Sequence, residues 1–63
     1  MFSKKLEHQL NQQVVLESSA SALYLSIASW CEKKRLTGAA SFYYAQSDEE
    51  RAHMLKVFKY INE

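Results

Sequence analysis

A chain of 63 residues forms one domain at most, and one so short buries too little of its surface to be held by its own core alone. Its eight Lys and Arg against seven Asp and Glu leave no basic patch of the kind that a nucleic-acid or membrane-surface module carries. Cys31 is the single cysteine, so there is no disulfide framework, and no Cys/His cluster points to structural zinc; stability must come from a metal, a partner chain or unusually good helix packing.

The opening run MFSKKLEHQ turns polar at once and does not read as a signal peptide. No apolar run is read as approaching a membrane span. A lone cysteine without an export signal points to the reducing cytoplasm. Ser3 is a candidate N-cap for a first helix over about residues 4–34, whose end carries Lys33, Lys34 and Arg35, a favourable match to the helix dipole. There is no proline, and Gly38 is the only glycine. The turn is placed at Leu36-Thr37-Gly38, with Thr37 as the cap of a second helix over about 39–62. Two long helices joined by a short turn predict an all-α antiparallel hairpin, each helix roughly 35–45 Å long at about 1.5 Å per residue.

At about 100° per residue, Leu6, Leu10, Val14, Ala20, Tyr24, Ala28 and Cys31 share one side of the first helix, and Glu17 falls in the middle of that stripe. On the second helix Ala39, Tyr43, Val57 and Ile61 define the apolar stripe, with Met54 beside it. Glu50 falls on its centre line, and His53 lies on the same side about 60° around. Asp48 points away, and Glu49 lies on the flank nearer His53. In a hairpin, Glu17 sits about 20 residues before the turn and residues 50–53 about 13 to 16 after it, so the three reach similar depth.

A buried carboxylate without a partner costs several kcal/mol, and two that share a core repel. A metal relieves both costs. Carboxylates with imidazole suit iron, manganese or zinc. The plain alternative is that Glu17 and Glu50 reach to solvent and His53 is a hydrogen-bonded core histidine. A lone Glu-x-x-His is short and common, and for it alone that alternative would stand; a third inward carboxylate at matching depth favours a metal site. Tyr24 needs a hydroxyl partner when buried, which an inward Glu supplies, and this reading is set above simple core filling. Gln46 faces inward, either bonded at the site or as a plain polar contact. Glu49 alone reads as a solvated charge, as does His8 on the polar back of the first helix. Trp30 joins Leu16, Leu23 and Ile27 on a packing flank. The side opposite the stripe carries Val15, Ser18, Ala22, Ser26 and Ser29, which either admits another helix or is an ordinary exposed face.

Glu17, the run Ala22-Leu23-Tyr24-Leu25-Ser26, Ser29-Trp30-Cys31, Leu36-Thr37-Gly38-Ala39, Glu49-Glu50-Arg51-Ala52-His53 and the closing Tyr60-Ile61-Asn62-Glu63 together resemble the first two helices of a ferritin subunit of the non-haem bacterial type. In ferritin-like bundles a Glu from each of two helices and a Glu-x-x-His from each of the other two form a di-iron site, an arrangement that belongs to that class and is not obtained from this sequence. The resemblance implies half of a ferritin-like four-helix bundle. It implies iron storage with ferroxidase chemistry at a di-iron centre: Glu17 and His53 binding one iron, Glu50 bridging two, Glu49 helping to form a third site, and Tyr24 hydrogen-bonded at the centre and taking part in redox chemistry. The crossover, the later helices and the remaining carboxylates of the family pattern are not in the chain. The expected partners are therefore a second copy in a two-fold dimer, a larger cage, or the complementary half of a subunit, with no nucleic acid and no membrane. The alternative of another class is a metal-free hairpin that acts as an assembly module, because a helix apolar on several sides must be covered.

Overall fold

A computed structural model describes residues 3–62. Met1 and Phe2 of the opening run, and Glu63 of the ferritin-like close, lie outside the described residues. Two helices, α1 (Lys4–Lys33) and α2 (Thr37–Ile61), pack along one another as an all-α hairpin. The backbone of the rod they form extends 48 × 15 × 10 Å along its principal axes.

Local chemistry sets the ends. Ser3 is extended, and its hydroxyl accepts from the Leu6 amide at 3.1 Å, satisfying one of the amide donors that a helix start leaves open. At the other end of α1 the Leu36 amide donates to the Cys31 carbonyl at 2.9 Å and the Arg35 amide to the Glu32 carbonyl at 3.0 Å. These are the paired bonds of a Schellman closure. Its left-handed position, usually glycine, is occupied by Arg35 at φ 61°.

The reversal therefore lies over residues 34–36, ahead of the expected 36–38. Thr37 is the first helical residue rather than the cap. Leu36 holds the cap position without a side-chain hydrogen bond. Gly38 sits inside the first turn of α2, where an added Cβ would meet nothing within 4 Å. The two residues are thus each in the other's favoured place. Arg35→Gly is expected to relieve about 1 kcal/mol of left-handed strain, and Gly38→Ala to add roughly 0.5–1 kcal/mol by helix propensity. Thermal melts of the two variants and their combination check this; a lower melting temperature for Arg35→Gly would mean that the arginine side chain holds the turn.

Most of the half-buried and buried positions step by alternating threes and fours, with Ala20, Ile27 and Gln46 half-buried beside them: Leu10, Val14, Glu17, Ser21, Tyr24, Ala28 and Cys31 on α1, and Ala40, Tyr43, Ser47, Glu50, Met54, Val57 and Ile61 on α2. That is a heptad seam. It departs from the expected stripes at three places. Leu6 and Ala39 are exposed, Ala40 is buried in place of Ala39, and two serines, unassigned from sequence, occupy the middle. Tyr24 stacks on Tyr43 with ring centroids 6.0 Å apart. Nearer the turn, the Tyr44 hydroxyl donates to Glu32 at 2.6 Å. That bond, with some desolvation and the carboxylate's charge, raises the Tyr44 phenol above its ordinary 10.0.

The core this seam makes is thin. Val14, Ala28, Cys31 and Ala40 are the buried apolar side chains among the described residues, and no large side chain is fully buried. Leu16, Leu23, Trp30 and Phe42 remain more than half exposed, so most of the flank read as packing stays open within the hairpin, although Ile27 is half-buried and the Lys34 ammonium lies 5.9 Å from the Trp30 ring centroid. By length and composition α1 also qualifies as a membrane-crossing helix, with a window of mean hydropathy 1.2, contrary to the sequence reading. Its apolar residues run around the whole helix, a pattern shared by the core helices of bundles.

Candidate metal centre

Glu17 lies near the middle of α1 and Glu50 near the middle of α2. The seam brings them together: from the Ser21–Ser47 contact, four residues back on α1 and three on along α2 run in the same direction. Glu17, Glu50 and His53 each offer a ligand atom within 4.8 Å of the others. Both carboxylates are half-buried, whereas His53 is at the rim, with its side chain 54% exposed against 15% for Glu17. His53 had been expected to face inward with them. It follows Glu50 by three residues, as Ala20 follows Glu17, so both turn off the seam by about 60°. In an antiparallel pair these equal rotations lead to one open face, which also carries Leu16, Leu23 and Ile27.

The Glu17 carboxylate shapes the site. Its Oε1 accepts from the Gln13 amide at 3.2 Å and lies 3.9 Å from His53 Nδ1, too far for a hydrogen bond. Its Oε2 is buried and has no hydrogen-bond partner. A buried carboxylate oxygen left unpaired costs about 1–3 kcal/mol or more, and a cation between the three donors would satisfy it. Metal–oxygen and metal–nitrogen bonds of about 2.0–2.2 Å let two donors 3.9 Å apart share one ion. All three donor atoms lie within 4.8 Å of one another, and side-chain rotation that draws them closer would let all three reach one ion at those bond lengths. Two carboxylates and an imidazole form a hard, dianionic donor set suited to a divalent first-row metal.

The remaining sequence candidates fall outside this group. Glu49 and His8 are exposed, and Gln46 is half-buried without a bond to either carboxylate. Among the described residues no hydrogen bond joins Tyr24 to Glu17; its ring is engaged with Tyr43 instead. Two features went unread in the sequence. Gln13 was legible as the i, i+4 neighbour of Glu17, and Ser21 with Ser47 as the central step of the heptad.

A helical pair that sets a Glu on one helix against a Glu-x-x-His on the other has the layout of one half of a carboxylate-bridged metal bundle. The family model for the ferritin-like domain matches residues 7–63, and the chain belongs to that family. It is 43% identical over all 63 of its residues to a bacterial non-heme ferritin of Campylobacter jejuni. The identity is 40% to the bacterial non-heme ferritin of Staphylococcus aureus strain USA300 and 40% to a probable bacterial non-heme ferritin-like protein of Haemophilus influenzae. In each case the match takes in the whole chain and 38% of the relative. The comparison with solved structures found no match.

Proposed function

We propose that the chain supplies half of a ferritin-type iron-storage site, binding Fe(II) as substrate through Glu17, Glu50 and His53 and promoting its oxidation to Fe(III). The observation that carries this reading is the unpartnered, buried Oε2 of Glu17 inside a converging donor set. Dioxygen or peroxide takes the electrons. The chain's own residues hold the ion: Glu17 and His53 flank it, Gln13 keeps one Glu17 oxygen oriented, and Glu50 is placed to bridge to a second ion. Glu49, exposed one residue before Glu50, is a stopping place for iron leaving toward storage, and Tyr24 a redox partner within the seam.

One hairpin gives too few ligands for two ions. The second set comes from another helical pair on the open face, most simply a second copy, in the reducing cytoplasm where Fe(II) persists. The family membership and the similarity to bacterial non-heme ferritins support iron as the metal.

Adding Fe(II) in air is expected to generate ferric-oxo absorbance, and Zn(II), a redox-inert stand-in, to raise the melting temperature by binding the folded form. No thermal shift at saturating Zn(II) would leave the alternative, a metal-free assembly hairpin, which the exposed Leu16, Leu23, Trp30 and Phe42 also favour.

A further inference from the structure

The two serines at the centre of the seam form a closed polar clasp. The Ser21 hydroxyl lies 3.0 Å from the Ser47 carbonyl, the Ser47 hydroxyl 2.9 Å from the Ser21 carbonyl, and the two hydroxyls 2.9 Å from one another. Each hydroxyl has one proton, so the arrangement is satisfied when each donates across to the other helix's carbonyl. Ser47 is the one buried polar side chain among the described residues. Elsewhere the seam meets through apolar side chains and a tyrosine stack, and the Tyr44–Glu32 bond, which also opposes the sliding of one helix along the other, lies nearer the turn. The turn constrains that sliding only at its own end. Ser21 stands twelve residues from the end of α1, about 18 Å away.

We infer that Ser21 and Ser47 are positioning residues for the metal centre: they set the depth and closeness at which Glu17 and Glu50 face one another. The geometry is direct. Glu17 lies about 6 Å from the clasp along α1 and Glu50 about 4.5 Å along α2, in the same direction. A shift at the clasp is therefore transmitted almost undiminished to the carboxylates. Short side chains let the backbones approach, and the reciprocal bonds hold them there. This inference rests on the metal-site reading.

The test uses the full chain and Zn(II) and Co(II) as the probes. Ser21→Ala/Ser47→Ala keeps the size of the contact and removes both cross-helix bonds. With helix content retained, it is expected to bind Zn(II) about tenfold more weakly, in the range for loss of groups that orient ligands. It should also change the visible ligand-field spectrum of bound Co(II) and shrink the metal-induced rise in melting temperature. A purely structural role would lower the metal-free melting temperature and leave affinity and spectrum unmoved. If the double variant fails to fold, the single Ser21→Ala and Ser47→Ala variants, each keeping one bond, should show intermediate losses. Native affinity and spectrum in the folded alanine variants, alongside lost binding in Glu17→Ala, would overturn the clasp while sparing the metal site. Native binding by Glu17→Ala would overturn both.

Discussion

Glu17→Leu is expected to make the metal-free chain more stable and to abolish its response to metal. The native carboxylate places one oxygen in a buried position with no partner, on a seam position that leucine fills well. Removing that oxygen should stabilise the metal-free form by about 1–2 kcal/mol, less the Gln13 hydrogen bond at the edge. For a domain this small that is several degrees of melting temperature, at roughly 4–8 °C per kcal/mol. Zn(II) should then produce no upward shift, and Fe(II) in air no ferric-oxo absorbance. Glu50→Ala should likewise abolish oxidation, but without the gain in stability, because it leaves a gap on the seam. Opposite signs for stability and binding distinguish a binding carboxylate from a structural one. A metal-free Glu17→Leu protein that melts below the native chain would refute this account of Oε2.

In solution the chain should be a two-fold dimer joined through the face that carries His53, Leu16, Leu23 and Ile27. Leaving large apolar side chains wet forfeits roughly 1.5–3 kcal/mol each, and a second copy covers the same patch on both chains. The placement of the carboxylates supports this partner. Because Glu17 and Glu50 lie near the middles of their helices, a two-fold axis at that level overlaps the rods along their whole length. It also brings four carboxylates and two imidazoles together. Light scattering should give twice the chain mass, and titration about two ions per pair of chains. Leu23→Asp, away from the ligands but on the same face, should yield a monomer or an unfolded chain. A stable folded monomer, or a dimer joined through the Lys4, His8 and Asp48 side, would exclude the arrangement.

Helix existence and the inward phase of Glu17 and Glu50 were legible because nothing in the chain competes with a helix: no proline, one glycine, and long apolar periodicity. Glycine as the turn marker points to residues 36–38, whereas the reversal lies at 34–36 and Gly38 is inside α2. A backbone closure can instead seat Arg35 in the left-handed position at a modest cost, and no composition signal announces that. Ala40 was missed in favour of Ala39 because two adjacent alanines differ in phase but not in chemistry. Ser21 and Ser47 were missed for the opposite reason: stripes were traced by apolar residues, and serine does not read as interior until both partners are seen together. His53 had the correct side but too much depth, since three residues of rotation are enough to carry a side chain from the seam to its rim.

A two-helix rod whose backbone extends only 10 Å in its narrowest direction keeps its backbone amides close to solvent. Local opening in such a structure takes little free energy, so amide protons along both helices should exchange within a narrow and fast range in the free hairpin. Slow exchange would then arise all along the rod together when ion and second helical pair are bound. Hydrogen-exchange protection in this chain reports how much of it has been loaded and covered, and its folding cannot be timed separately from its filling.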